Sequence, residues 1–291
     1  MSYCWVMKLG VVYPQIELDG DPEAVRRVGL ATEDLGYDHL LVYDHVVGAQ
    51  HANREPPLWG PYQETDPFHC PFTMFAYLAG ITERIELVTG VIILPQRQTA
   101  LVAKQCTDID LFSGERLRLG VGSGWNYVEY DALGEDFATR GPRMTEQIGL
   151  LRQYWSEELF SFEGEFDRID RGNINIRPNR QIPVWVGGFS EPAFRRGGQL
   201  GDGFLYAGNA EHGRDAKARV DHHLAEAGRG DTAFGHELIM LRARSIDETV
   251  ATAAEWRAAG GTHASVCTMG MGLDSIDAHI DYIAQAKERL G

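Results

Sequence analysis

Residues 85–125, IELVTGVIILPQRQTALVAKQCTDIDLFSGERLRLGVGSGW, decide the fold. Ile85–Leu94 is an apolar, β-branched run that reads as a buried strand. Thr99–Phe112 follows as a helix, and Arg116–Val121 returns as a second apolar strand that ends in glycines. Strand, helix and strand at this spacing form a βα unit and the start of the next, the arrangement of a parallel sheet.

The same unit recurs in both directions along the chain. Upstream, Met7–Tyr13 is a strand and Pro22–Leu35 a helix, with Asp21 as N-cap and Gly36 as stop. His39–Tyr43 is the second strand, and Pro67–Ile81 is a helix capped by Asp66. Downstream, Trp125–Thr139 reads as irregular, Pro142–Trp155 as a helix, and Leu159–Ile169 as a β-hairpin inserted before the fifth core strand at Pro183–Val186. Ser190–Gln199, Gly203–Tyr206, His212–Ala227, Glu237–Arg242, Ser245–Ala259, His263–Thr268 and Ser275–Leu290 then alternate helix and strand to the end. Eight βα units in 291 residues with no linker predict a closed (β/α)8 TIM barrel spanning 1–291 as one domain.

Composition narrows the function classes. The chain carries 27 basic against 42 acidic residues, a net charge of -15 that repels a phosphate backbone, so nucleic acid is an unexpected partner. Apolar runs such as Phe72–Ile81 fall short of the ~18 residues that a membrane span needs, and no secretory leader is legible. Cys4, Cys70, Cys106 and Cys267 lie too far apart for a zinc knuckle or a dense disulfide frame, which fits a reducing cytoplasm. His222 and His223 are neighbours on a helix and cannot face one ion, so no metal site is expected.

Barrel active sites gather at the C-terminal strand ends, and the tips here are distinctive. They read Tyr43-Asp44-His45, Thr89-Gly90-Val91, Gly122-Ser123-Gly124-Trp125 and Gly187-Gly188-Phe189-Ser190. Glycine at three tips admits two readings: tight loops, or close approach of a flat ring or a phosphate to the backbone. Gly187-Gly188 before a helix capped by Ser190 forms an anion site or a plain capped helix. Glu191 would repel an anion if it pointed inward. His45 is either a proton-transfer group or a structural rim histidine, and Asp44 joins it in a dyad only if the strand has ended there. Trp125 is a pocket wall or a local hydrophobic plug. Trp59, Tyr62, Phe68, Trp125, Tyr127 and Tyr206 suggest an aromatic-lined substrate pocket. The glycines at 120, 122 and 124 do not make a dinucleotide fingerprint, since they lead into what reads as a non-helical insert rather than a helix.

Four stretches carry a family resemblance: residues 85–104 (IELVTGVIILPQRQTALVAK), 113–125 (SGERLRLGVGSGW), 133–143 (LGEDFATRGPR) and 183–190 (PVWVGGFS). In these the chain resembles the bacterial luciferase-like flavin and deazaflavin oxidoreductases, and within them the coenzyme F420-dependent subgroup. The resemblance implies a (β/α)8 barrel, a cytoplasmic homodimer, and a deazaflavin ring beside Asp44 and His45. It also implies a non-proline cis peptide at Gly90–Val91, with cofactor contacts at Ser123, Gly124, Gly187, Gly188, Phe189 and Ser190. Some relatives that oxidise sugar phosphates or alcohols carry Glu where this chain has Trp125, so their proton chemistry does not transfer. The activity implied is hydride transfer between the deazaflavin C5 and a small organic substrate, with His45 as proton donor or acceptor. An FMN-dependent monooxygenase is the alternative, and a non-catalytic flavin-binding homologue a further one.

Overall fold

The computed structural model describes residues 6–291, so Cys4 lies outside the described residues. Eight parallel strands close a ring in the order β1 (Lys8–Val12), β2 (His39–Val42), β3 (Glu86–Thr89), β5 (Leu117–Gly122), β8 (Val184–Gly187), β9 (Gly203–Ala207), β10 (Gly235–Met240) and β11 (His263–Cys267). β11 pairs back onto β1, with Leu9 opposite Ala264. Closure between β3 and β5 runs through Leu87 opposite Leu117. The two-residue strand β4 (Ile92–Ile93) continues β3 beyond a break and pairs with the upper end of β5. An antiparallel hairpin, β6 (Phe160–Glu163) and β7 (Arg168–Gly172), lies outside the ring, as the Glu163-Gly164 turn signal predicts.

Helices α1 (Pro22–Asp34), α2 (Pro71–Ala79), α3 (Thr99–Ser113), α4 (Tyr127–Leu133), α5 (Arg140–Ser156), α6 (Glu191–Leu200), α7 (Ala210–Glu226), α8 (Ile246–Ala258) and α9 (Ile276–Leu290) follow in chain order. None of them is long and apolar enough to cross a membrane. Side chains alternate across each strand, so every strand feeds two cores. On β9, Phe204 and Tyr206 join the large layer between strands and helices, while Leu205 turns inward to Val12, Leu41, Val88, Trp185 and Ile239.

Towards the strands' N-terminal ends the interior is polar. His39 Nε2 lies 2.7 Å from Glu237 Oε1, and Arg118 donates to Glu237 Oε2 at 2.6 Å while stacking on Trp185 at 4.2 Å. Burial alone would raise the Glu237 carboxyl, but the charges of His39 and Arg118 hold it well below the usual range. This buried set plugs the end of the barrel opposite the candidate site.

Three local expectations are corrected. Residues 125–139 are not irregular: Asn126 caps α4 by accepting from Val128 N at 3.1 Å, and a 3-10 turn covers Phe137–Thr139. Asp66 does not cap α2, which begins at Pro71. The Asp66 carboxylate instead accepts from Gln63 N at 2.7 Å inside the preceding loop. Strand three is not continuous over Ile85–Leu94, because the chain breaks at Gly90–Val91, where the peptide is cis as the resemblance implies.

Candidate active site

β2 ends at Val42, which frees the next three residues to turn individually. Asp44 and His45 do not form a dyad. Asp44 is 3% exposed, and its carboxylate accepts from Ile93 N at 3.1 Å and from Arg97 at 2.7 Å. It therefore ties the second tip to the far side of the break in strand three. His45 turns the other way, into a cluster with ring-centroid distances of 4.9 Å to Tyr62, 4.8 Å to Phe68 and 5.6 Å to Trp125.

The imidazole Nδ1 lies 3.3 Å from Oε1 of Glu129, a residue in the first turn of α4 that is 1% exposed. The same oxygen accepts from Val46 N at 2.6 Å and Val47 N at 3.1 Å, and Gln96 approaches Oε2 at 3.4 Å. Burial pushes the Glu129 carboxyl up, but the hydrogen bond and charge of His45 and the two amides outweigh it and hold the group below its ordinary value.

Val91 projects inward just past the break. A Cβ on Gly122 would fall 2.5 Å from one Val91 methyl, and a Cβ on Gly187 would fall 2.8 Å from the other. These glycines make room for a valine at the mouth. Val91 packs against the inner cluster that includes Tyr43, Cys267 and Met269. Burial pushes the Cys267 thiol up to about 11 and the Tyr43 and Tyr62 phenols above their ordinary range, so these groups are neutral near pH 7.

Further round the rim, Gly187 and Gly188 lead into α6, whose first turn leaves the Glu191 N–H without an intrahelical acceptor, while Pro192 has no N–H and the amides of Ala193 and Phe194 donate to Ser190 O at 2.9 and 3.0 Å. Ser190 is the N-cap residue but makes no side-chain cap bond, and Phe189 beside it is 79% exposed. Glu191 does not face this end. Its carboxylate pairs with His223 at 2.5 Å and with Arg219, and the His223 bond holds it below its ordinary value. Ser123 lies at the fourth tip, where its carbonyl accepts from Tyr130 Oη at 2.7 Å, and Gly124 follows it.

Three of the six aromatic candidates come together around His45: Tyr62, Phe68 and Trp125. Tyr206 does not belong to the pocket. It points outward into the helix layer, where its hydroxyl meets His236 Nδ1 at 3.0 Å and its ring packs on Trp256. Trp59 is 81% exposed on the loop of residues 46–66, and Tyr127 bonds that loop through Pro56 O at 2.6 Å. Sequence reasoning missed Glu129. The available signal was Asn126-x-x-Glu129, a helix-start pattern that the irregular reading of 125–139 suppressed.

The arrangement offers an imidazole with one nitrogen held by a carboxylate and walled by aromatic rings. Such a group can exchange a proton where water is largely excluded.

A model of the family described as luciferase-like monooxygenase matches residues 6–289. An uncharacterised protein of Mycobacterium tuberculosis is 31% identical over 222 residues, covering 75% of this chain and 76% of that protein. The pyrimidine monooxygenase RutA of Allorhizobium ampelinum is 32% identical over 187 residues, 61% of this chain and 50% of its own. An F420-dependent glucose-6-phosphate dehydrogenase of Intrasporangium calvum is 31% identical over 182 residues, 60% and 50% of the two chains. Among solved structures, an F420-dependent secondary alcohol dehydrogenase in complex with an F420-acetone adduct superposes with a TM-score of 0.81 at 14% identity, over 98% of this chain and 99% of that one.

Proposed function

The chain is an enzyme of the luciferase-like monooxygenase family, and from that premise we propose that it is a coenzyme F420-dependent oxidoreductase acting on a small organic substrate. When bound, the deazaflavin supplies C5 as hydride donor or acceptor. The observation that carries the reading is the placement of His45. It gives the mouth one titratable group that can meet a substrate oxygen, within a wall of neutral aromatic and sulfur groups.

The residues present fit such a cofactor. Val91, seated between Gly122 and Gly187, offers an apolar face on which a planar ring can rest. The start of α6, with Ser190 uncommitted and Glu191 drawn aside, suits an anionic tail despite the chain's net charge of -15. Asp44 acts on the cofactor side indirectly, by holding Ile93 and Arg97 and hence the position of Val91. His45 gives or takes the proton that accompanies hydride transfer at a carbonyl or hydroxyl.

FMN-dependent monooxygenation is the second reading, favoured by the 32% identity to a pyrimidine monooxygenase. Fluorescence titration with oxidised and reduced F420 and FMN distinguishes the two. The proposal expects saturable binding of F420 and no competition by FMN at equal concentration. Binding of FMN alone would replace it with the second reading.

A further inference from the structure

We infer that Glu129 is the positioning residue that fixes the tautomer of His45, so that Nδ1 keeps its proton and Nε2 is the atom that exchanges one. An ionised carboxylate only accepts hydrogen bonds, and a neutral imidazole has one donor and one acceptor nitrogen. The nitrogen that faces Glu129 at 3.3 Å therefore carries the hydrogen, and the lone pair is left on Nε2, which has no hydrogen-bond partner among the described residues.

Glu129 is set in place independently of the histidine. Its Oε1 is held by the amides of Val46 and Val47, its Oε2 by Gln96, and its backbone by the first turn of α4. Asn126 closes the same joint from the other side, its side chain donating to Val47 O at 3.3 Å. The carboxylate thus stays where it is whichever way the imidazole rotates.

The other groups facing His45 offer no competing acceptor of comparable strength. Tyr62 is a neutral phenol, Phe68 and Trp125 present rings, and the neighbouring Asp44 is turned towards Ile93 and Arg97. Buried second partners of this kind set which ring nitrogen does the chemistry. Only the catalytic consequence rests on the proposed role of His45. The tautomer itself is read without cofactor or substrate, so failure of one idea is distinguishable from failure of the other.

The test uses the full chain labelled with [15N]histidine, with long-range proton–nitrogen spectra recorded at about pH 8.5, where free imidazole is neutral. The His45 signals are identified by their loss in His45→Asn. The native protein is expected to show the Nδ1–H form of His45 as the dominant species. Glu129→Gln retains it, because two amide donors require the Gln carbonyl at the Oε1 position, where it still accepts from Nδ1. Glu129→Leu removes the acceptor and moves the population to mostly Nε2–H. A dominant Nε2–H form in the native protein overturns the inference, as does an unchanged population in Glu129→Leu. If Glu129→Leu does not fold, the native spectrum alone decides.

Discussion

His45 and its neighbours separate binding from proton transfer at the level of single side chains. Its ring is packed by Tyr62, Phe68 and Trp125, none of which is held by a hydrogen bond to it, so a smaller amide leaves the aromatic wall standing. His45→Asn is therefore expected to lower turnover by about 10²-fold or more while leaving cofactor affinity within a few-fold. Turnover against the substrate found for the enzyme, set beside a binding titration, checks this. Equal losses in both would make His45 a binding group instead. The candidacy of His45 was legible because a strand tip and a titratable side chain are both local facts. The partners of Asp44 and His45 were not, since Arg97 is 53 residues away and Glu129 84 residues away. Only the closed ring brings them near.

Elements were legible where the signal lies inside the element. Asp21 caps α1 and Gly36 follows its end with φ +76°, as local capping chemistry requires. Strand three shows the limit. Its largely apolar, strand-like pattern runs from Ile85 to Leu94, yet the sheet ends at Thr89 because pairing with β5 resumes only from Ile92. The seam between β3 and β5 is closed by Thr89 Oγ1, which accepts from Gly120 N at 2.8 Å and donates to Gly120 O at 2.7 Å. A Cβ on Gly120 would lie 2.0 Å from the Thr89 carbonyl oxygen, a backbone atom that cannot swing aside. Gly120→Ala should thus destabilise by about 1–3 kcal/mol or more, as overpacking does. Gly149→Ala in the middle of α5, where a Cβ meets nothing within 4 Å, should stabilise by about 0.5–1 kcal/mol. Urea midpoints of the two variants test the contrast. A Gly120→Ala protein as stable as the parent would show that the seam can open without cost.

For the molecule as a whole, buried imidazoles set the response to acid. Burial and the charge of Arg118 bring His263 down to about 2, burial and the charge of Lys217 bring His236 down to about 4, and burial lowers His279. In the unfolded chain these rings take up protons near pH 6.5, whereas in the folded chain they do so only at their lower values. Below pH 6.5 the unfolded state thus binds more protons, and stability is lost as pH falls towards the folded values. The slope is up to about 1.4 kcal/mol per pH unit for each ring. The depressed carboxyls Glu33, Glu86, Glu129 and Glu237 add their loss only below their ordinary value of 4.5. Glu17 and Asp167, both raised mainly by burial, act in the opposite sense, binding protons in the folded state first. The expected profile is a plateau between about pH 7 and pH 8.5, a decline beginning near pH 6.5 and a steeper one below about pH 4.5. His263→Asn should flatten the first decline by about 1.4 kcal/mol per pH unit, because Asn has no proton to take up in either state. Urea unfolding of both proteins between pH 8 and pH 5 measures the two slopes. A native stability that is flat from pH 7 to pH 5 would show that these rings are solvated when the protein is folded, and an unchanged slope in the variant would remove His263 from the set.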